Sequence, residues 1–379
     1  ARKAGCEVLG DIDLFAGARA GGAVVGVTGT NGKSTTTALI GHLLEACGRP
    51  AAVGGNLGPP ALELPALDRR GVYVLELSSF QIDLAPSLAC DVAVLLNLSP
   101  DHLDRHGDMA GYAAVKKRLL FQQSAAATAI VGVDDAHAEA VFAEVRSARP
   151  RRVIPIGVGR VLEGGIYVLD GVVHDATRAA TVSRELAGID SLLGVHNWQN
   201  AAAAIAVMSA LGMPAEPAMR ALAAFPGLPH RLEPVATIDG VRFVNDSKAT
   251  NADAAARALA TFENIHWIAG GIAKAGGIVA LEPYFGRVAH AYLIGDAAAQ
   301  FAATLGERVP HSACGDLPSA LAAAFAGARA GPEGAVVLLS PACASFDQWT
   351  DYGARGDDFR DRVDGLARDL AGRKRVASC

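Results

Sequence analysis

Residues 26–37 read GVTGTNGKSTTT, a glycine-rich turn that contains the sequence Gly-Lys-Ser. The turn follows the apolar run of residues 23–25 and opens a stretch with a helical pattern. Small residues let backbone N–H groups converge on phosphate oxygens, while Lys33 supplies a positive charge and Ser34 a hydroxyl for a magnesium ion. The alternative is a flexible turn with one exposed lysine, but the flanking strand and helix favour a phosphate site. The stretch therefore predicts binding of a nucleoside triphosphate.

Apolar segments alternate with helical patterns after this loop. Strands are predicted at 72–77, 92–96, 129–131 and 153–156, and helices at 33–46, 108–122, 197–211 and 214–225. Such alternation is typical of βαβ units and predicts an α/β fold with a mostly parallel sheet. Residues 166–175 instead predict a hairpin, because Asp170-Gly171 suits a two-residue turn between apolar segments.

The chain is long enough for two domains, each with its own core. Residues 225–231 (FPGLPHR) form a predicted linker, since two prolines and a glycine exclude a helix or a central strand. A second series of strands follows at 241–244, 265–269, 291–294 and 336–339. We expect a P-loop domain at 16–227 and a smaller Rossmann-like α/β domain at 228–379. Residues 1–15 are interpreted as a linker or the remnant of another domain.

Composition excludes several classes of protein. The net charge of −5 argues against nucleic-acid binding, and no apolar run approaches the ~18 residues of a membrane span. The six cysteines show no Cys-x-x-Cys spacing, which indicates a reduced cytoplasmic protein without a disulfide framework or a zinc knot.

Polar side chains collect after two predicted strands, where open α/β sheets place their ligands. Glu76 ends the first of these strands; it is either a surface glutamate in a salt bridge or, with Ser34, a ligand of magnesium. Residues 97–106 (NLSPDHLDRH) are dense in potential ligands, and we favour His102 as a metal ligand over a structural histidine. On the next helix, residues 116–118 (KKR) by default form a solvated basic face.

Four of these segments, in this order, resemble the Mur ligase family: TGTNGKS (28–34), LELSSFQ (75–81), DHLDRH (101–106) and YAAVK (112–116). Members of this family join amino acids to a peptidoglycan precursor at the expense of ATP. NDSKATN (245–251) and SPACASFDQ (340–348) resemble the members that add D-glutamate. The resemblance covers nearly the whole chain. Alternatives are a folylpolyglutamate-synthase-like or other Mur-type ligase, or a non-catalytic ATP-binding regulator.

The resemblance implies roles for residues around the nucleotide. The implied ATP-binding residues are Gly29, Thr30, Asn31, Gly32, Lys33, Ser34, Thr35, Asn200, Arg231 and Asp246, with Asn200 at the adenine. Two Mg2+ ions are implied, one held by Ser34 and Glu76 and the other by His102 and a carbamylated Lys116. Lys117 has the same charge, but the four-residue spacing from Tyr112 selects Lys116. Lys33, His102 and Lys116 are the implied catalytic residues.

The resemblance also implies the substrates UDP-N-acetylmuramoyl-L-alanine and D-glutamate. Implied substrate-binding residues are Asn56, Ser78, His230, Lys248, Thr250, Lys274, Ser345, Phe346 and Tyr352. From sequence alone Lys274 is equally compatible with a flexible surface lysine, and Cys343 is interpreted as a small buried residue rather than a nucleophile. We expect a cytoplasmic monomer that lacks the family's N-terminal UDP-binding domain.

Overall fold

The computed structural model describes residues 6–19, 21–148 and 152–377, with side chains up to residue 370. These residues form two compact units that divide between Phe225 and Pro226. Both units contain a mostly parallel sheet with helices, so the predicted α/β fold class is confirmed. Among the described residues, no helix combines the length and apolar character that crossing a bilayer requires.

The first unit contains a nine-stranded sheet in the order β2-β3-β1-β4-β5-β6-β7-β8-β9. Its strands are β1 (Ala23–Thr28), β2 (Ala51–Gly55), β3 (Val72–Glu76), β4 (Val92–Leu95), β5 (Thr128–Gly132), β6 (Arg152–Val158), β7 (Ile166–Leu169), β8 (Val172–Asp175) and β9 (Val182–Glu185). All pairs from β2 to β7 are parallel, whereas β7-β8 and β8-β9 are antiparallel. Asp170 and Gly171 both have positive φ in the β7-β8 turn, which confirms the predicted hairpin.

Helices cover both faces of this sheet. They are α1 (Asp11–Ala18), α2 (Lys33–Ala46), α3 (Ser79–Asp83), α4 (Leu103–His106), α5 (Met109–Phe121), α6 (Ala136–Ala148), α7 (Val195–Ala210) and α8 (Ala215–Ala221). One core lies under α2, α7 and α8, and a second lies under α1, α3, α5 and α6. Because β1 is buried on both faces, its sequence is almost continuously apolar. A strand of this kind is recognisable in the sequence as an apolar segment next to a helical pattern.

Helix α1 belongs to the first unit. Ile12 and Phe15 are buried in the second core, and the Phe15 ring meets Tyr73 edge-on at 5.0 Å. The backbone N–H of Ser87 donates to Asp13 Oδ1 at 2.8 Å. Of the segment 1–15, interpreted as a linker or domain remnant, residues 1–5 lie outside the described residues. The start of α1 is packed into the first unit.

The second unit has a six-stranded sheet in the order β10-β11-β16-β12-β14-β15, with the short antiparallel pair β13-β17 beside it. The strands are β10 (Glu233–Ile238), β11 (Val241–Asn245), β12 (Ile265–Gly270), β13 (Ile272–Ala273), β14 (Val288–Ile294), β15 (His311–Gly315), β16 (Val336–Leu339) and β17 (Cys343–Ala344). The helices are α9 (Ala252–Thr261), α10 (Ala298–Leu305), α11 (Leu317–Ala330) and α12 (Tyr352–Ala377). Only β10 runs antiparallel in the main sheet. The strands β11, β16 and β12 therefore end at the same edge.

Candidate active site

The glycine-rich loop joins the central strand β1 to α2, as predicted. Gly29 and Gly32 have φ values of 153° and 82°, which L-residues with a side chain rarely adopt. A Cβ on Gly32 would also lie 2.2 Å from Asn200 Oδ1. Because α2 begins at Lys33, its free N–H groups and its positive dipole end open onto the loop. The loop can therefore hold an anion such as a phosphate group.

Lys33 bridges its own loop. Its ammonium donates to the carbonyl oxygens of Gly29 at 3.1 Å and Thr30 at 2.8 Å. Ser34 and Thr35 are buried in the first turn of α2. The Thr30 hydroxyl donates to the Ser99 carbonyl at 3.1 Å and accepts from the Ser99 N–H at 3.0 Å, so the segment after β4 holds one side of the loop.

Glu76 is buried at the end of β3 and lacks a partner for half of its carboxylate. Oε1 accepts a hydrogen bond from Asn56 Nδ2 at 2.9 Å, whereas the buried Oε2 has no hydrogen-bond partner. A buried carboxylate without compensation is costly, and a divalent cation would relieve that cost. Glu76 is thus not a surface glutamate in a salt bridge. The donor set of this carboxylate and the Ser34 hydroxyl fits Mg2+.

Lys116 on α5 is almost fully buried, at 1% exposure. Its amine donates to Thr28 Oγ1 at 3.2 Å and to the Gly29 carbonyl at 2.9 Å, so it reaches the phosphate loop. Burial, followed by the positive charge of Lys33, lowers the pKa of Lys116 to about 7. Lys117, by contrast, forms a partly exposed ion pair with Glu144 at 2.8 Å. The default interpretation of residues 116–118 as a solvated basic face is therefore wrong for Lys116.

His102 lies at the start of α4 in a left-handed conformation, with φ of 51°. Its side chain is about half exposed, lies 3.5 Å from the Asp101 carboxylate and meets the Phe80 ring at 5.1 Å. The part of the chain that the structure describes contains no group of three His, Cys, Asp or Glu side chains arranged to hold a metal ion. A metal site at His102 thus requires a further ligand of another kind, such as a modified Lys116.

Asn200 is buried beneath the loop. Its Oδ1 accepts from Thr36 Oγ1 at 3.1 Å, and its Nδ2 donates to Asn197 Oδ1 at 3.1 Å. The structure therefore shows Asn200 as a support of Gly32 and the first turn of α2, and the adenine contact stays a prediction. Ser78 caps α3 and exchanges hydrogen bonds with Gln81. The sequence did not single out Asn97, whose amide bonds both the N–H and the carbonyl of Asn31.

In the second unit, polar side chains gather where β11 and β16 end. Asp246 is buried and accepts from Ser340 Oγ at 2.8 Å and from the Leu232 N–H at 3.2 Å. Burial raises the pKa of Asp246 to about 7, against the opposing effect of Arg231 and Arg257. Arg231 Nε is buried without a hydrogen-bond partner. This edge of the sheet can offer a cationic group to a ligand.

His230 is a packing residue in this structure. It is 9% exposed, Asn245 Nδ2 lies 3.0 Å from its Nδ1, and burial is the largest cause of its lowered pKa. A Cβ on Gly356 would lie 2.1 Å from His230 Nδ1, so α12 packs directly on the ring. The substrate contact expected of His230 stays a prediction.

The other predicted substrate residues of this unit lie on three neighbouring segments. Lys248 places its ammonium 5.4 Å from the centre of the Tyr352 ring, and Thr250 follows in the same partly buried loop. The loop after β13 and the loop after β17 leave opposite ends of their short antiparallel pair, in which Ala273 lies beside Cys343. The first of these loops carries the exposed Lys274, which lines a depression of about 500 Å3 with Asn251 and Asp253, and the second carries the buried Ser345 and the exposed Phe346.

Cys343 is fully buried, and burial raises its thiol pKa to about 12, so it is not an activated nucleophile. Sequence reasoning missed Arg355, a buried arginine that donates to Ser247 Oγ at 2.9 Å and to the carbonyls of Ser247 and Cys343. It joins the segments that carry Lys248 and Ser345. Nothing in the local sequence of α12 distinguishes it from the helix's solvated arginines.

Comparison with known proteins agrees with this arrangement. Residues 27–208 match the Mur ligase middle domain, and residues 230–343 match the domain described as "Mur ligase, glutamate ligase domain". A protein of Caulobacter sp. (strain K31), named UDP-N-acetylmuramoylalanine–D-glutamate ligase, is 52% identical over 98% of this chain and 81% of its own length. The chain belongs to the Mur ligase family.

Another relative with the same name, from Rhodospirillum rubrum, is 51% identical over 99% of this chain and 79% of its own length. Among solved structures, the MurF ligase of Thermotoga maritima in complex with ADP has a TM-score of 0.61 at 21% identity. That likeness covers 96% of this chain and 83% of the other, and it supports the fold alone. The chain is thus an enzyme of a ligase family with the family's α/β architecture.

Proposed function

We propose that this chain joins D-glutamate to UDP-N-acetylmuramoyl-L-alanine at the expense of ATP, in the synthesis of peptidoglycan precursors in the cytoplasm. The observation that carries the proposal is the convergence of two lysines on one carbonyl of the phosphate loop. Lys33 and Lys116 both donate to the Gly29 carbonyl, at 3.1 and 2.9 Å. A phosphate site thus lies beside a buried amine of lowered pKa and beside a carboxylate without a partner.

The proposed reaction has two steps. The alanine carboxylate attacks the γ-phosphorus of ATP, the bond from that phosphorus to the β–γ bridging oxygen breaks, and an acyl phosphate and ADP form. The D-glutamate amine then attacks the acyl carbon, the bond to phosphate breaks, and the amine loses a proton. Lys33 and the N-terminus of α2 neutralise the charge that develops on the transferred phosphoryl group.

We propose that Ser34 and Glu76 hold one Mg2+ ion, and that His102 with a carbamylated Lys116 holds a second. Bound Mg2+ would supply positive charge to the phosphate oxygens. The partnerless Glu76 Oε2 supports the first site. For the second, the lowered pKa of Lys116 leaves a large neutral fraction, which is the form that captures carbon dioxide. Two rings connect the proposed ligands. Phe80 contacts the rings of His102 and His106. Tyr112 contacts the His106 ring, and its ring centre lies 4.9 Å from the Lys116 amine.

D-glutamate carries two carboxylates, so its pocket needs cations and hydroxyls. We propose that the second unit supplies them through Lys248, Thr250, Lys274 and Ser345, with Phe346 and Tyr352 as lining side chains. Two observations support this role. Arg355 joins the segment of Lys248 to that of Ser345, and Lys274 lines one depression with Asn251, which follows Thr250. In the first unit, Asn56 and Ser78 are proposed to face the muramoyl substrate, since both adjoin Glu76.

Phosphate release from Mg-ATP tests the proposal. The chain is assayed with UDP-N-acetylmuramoyl-L-alanine and with D-glutamate present, omitted, or replaced by L-glutamate, L-lysine or meso-diaminopimelate. Release that requires D-glutamate supports the proposal. Release with another amino acid would indicate a different Mur-type ligase. No release together with no binding of ATP would overturn the ligase proposal.

A further inference from the structure

Three polar side chains beside the phosphate loop form a continuous hydrogen-bonded chain. Asp134 Oδ2 accepts from Gln199 Nε2 at 2.7 Å, and Gln199 Oε1 accepts from Asn97 Nδ2 at 2.9 Å. Asn97 then bonds the backbone of Asn31, because its Oδ1 accepts from the Asn31 N–H at 2.9 Å and its Nδ2 donates to the Asn31 carbonyl at 3.2 Å. The three residues follow β5, lie on α7 and follow β4, respectively.

The Asp134 carboxylate, at the charged end of these hydrogen-bonded side chains, fixes the direction of every bond between them. An ionised carboxylate can only accept, so Gln199 must turn its NH2 toward Asp134 and its oxygen toward Asn97. Asn97 must then present its NH2 to Gln199 and its oxygen to the Asn31 N–H. Asp134 cannot turn away, since its other oxygen accepts from the Val158 N–H at 2.9 Å. Asp134 thereby dictates the amide orientation next to the loop.

The last link of the chain immobilises the loop where it bends. The Asn31 N–H and carbonyl are both bound to Asn97, and the Thr30 N–H donates to the Asn97 carbonyl oxygen at 2.9 Å. Holding Asn31 in place therefore presents the following N–H groups in one conformation, which reduces the ordering cost of binding a phosphate.

We propose that Asp134, Gln199 and Asn97 form a positioning relay that sets nucleotide affinity by holding the phosphate loop in its binding conformation. The inference rests on the proposed function in one respect, namely that the loop binds a nucleotide. The relay residues act through the loop and are positioning residues, not catalytic ones.

An isosteric substitution at the charged end tests the relay. In Asp134→Asn, the side chain has one acceptor for two donors, so an NH2 group must face either Gln199 Nε2 or the Val158 N–H. We expect MgADP to bind about tenfold more weakly, which corresponds to about 1.4 kcal/mol for one mismatched buried hydrogen bond. The measurement is isothermal titration calorimetry on the full chain, well below the unfolding temperature of each variant.

The double variant Asp134→Asn/Gln199→Glu restores the match of donors and acceptors, with the negative charge moved from position 134 to position 199. The amide introduced at position 134 can then donate to the carboxylate introduced at position 199 and still accept from the Val158 N–H. That carboxylate can in turn accept from Asn97 Nδ2. We expect MgADP affinity to return to within about threefold of the unaltered chain. Gln199→Glu alone places two carboxylates in contact and should bind more weakly.

Asp175→Asn is the matched control for stability. Asp175 is a buried aspartate of the same unit that binds Thr177 and Arg178, so its substitution lowers stability without touching the loop. Two results would overturn the relay. One is that Asp134→Asn binds MgADP as tightly as the unaltered protein. The other is that Asp134→Asn and Asp175→Asn lose MgADP affinity to the same extent. Failure of the unaltered chain to bind MgADP would count against the proposed function itself.

Discussion

Lys116→Met is expected to make the nucleotide-free protein more stable while it removes activity. Lys116 is buried with an ammonium group that is costly to desolvate, and methionine fills a similar volume without a charge. Both groups that lose the lysine keep another hydrogen-bond partner. Thr28 Oγ1 also donates to the Leu77 carbonyl at 2.8 Å, and the Gly29 carbonyl also accepts from Lys33.

The lowered pKa of Lys116 gives the magnitude and the sign of the expected change in stability. The pKa of Lys116 falls from 10.5 to about 7 in the folded protein. The unfolded chain therefore binds more protons between these values, and the penalty against folding is full below pH 7 and fades as pH rises toward 10.5. Linkage gives at most about 4 kcal/mol at pH 7 and about 2 kcal/mol at pH 9. Since the lysine's hydrogen bonds are lost, we expect a net gain of about 1 to 3 kcal/mol at pH 7.

Hydrogen exchange of the backbone amides of β1 and α2 measures the opening free energy of this unit by itself. The experiment uses buffer free of nucleotide and carbon dioxide, at pH 7 and pH 9, with rates corrected for intrinsic exchange. Lys117→Met is the control, because Lys117 forms a partly exposed ion pair and its loss should change stability by less than about 1 kcal/mol. Two results would refute the reasoning. One is a Lys116→Met protein that is no more stable than the unaltered protein at pH 7. The other is a difference in opening free energy between the two proteins that is as large at pH 9 as at pH 7.

The same position tests the carbamate. Lys116→Ala is expected to lose ligation and to recover part of it when a short-chain carboxylate is added, since the carboxylate can occupy the place of the carbamate group. The measurement is phosphate release with and without the added acid. Full activity of Lys116→Ala would contradict the proposed role.

Three further outcomes are expected, the last with a matched control. Glu76→Gln keeps an acceptor for Asn56 but removes the charge, so kcat should fall about 100-fold or more and the Mg2+ concentration for half-maximal rate should rise; an unchanged Mg2+ titration contradicts the assignment. Lys274→Ala should raise the KM for D-glutamate about tenfold through loss of one charge-assisted bond, with MgADP affinity unchanged. Gly356→Ala should destabilise the second unit by about 2 kcal/mol or more, because the new Cβ meets His230. Gly365→Ala on the same helix meets nothing within 4 Å and should be neutral or slightly stabilising in chemical denaturation.

Much of the fold is readable from local pattern. The predicted strand at 336–339 and the helix at 33–46 coincide with β16 and α2, and other predicted elements differ by a few residues at their ends. These elements are buried on both faces or open with a glycine-rich turn, so their signals are local. The predicted helix at 214–225 extends past the observed end of α8, because a 3-10 turn at 222–224 continues the helical pattern after Ala221.

The site was only partly readable. Residues with backbone constraints or strand-end positions, such as Gly32, Lys33 and Glu76, could be found from their neighbours in sequence. His230 could not be separated from a ligand-binding histidine, because its burial depends on Gly356, more than a hundred residues away. Lys116 and Lys117 differ by one step of about 100° around α5, and only the packing of that helix decides which amine reaches the loop.

By itself the sequence determined the phosphate loop and the α/β class, because these are set by backbone conformation and short-range periodicity. It indicated the family through the resemblance of its motifs. Only the tertiary structure decided that Glu76 keeps a partnerless oxygen and that Asn97, Gln199 and Asp134 form one chain of bonds. That chain of bonds depends on the strand order β1-β4-β5, which places the loops after three separate strands side by side. No local pattern encodes that order, since it arises from how the sheet and its two helical layers pack together.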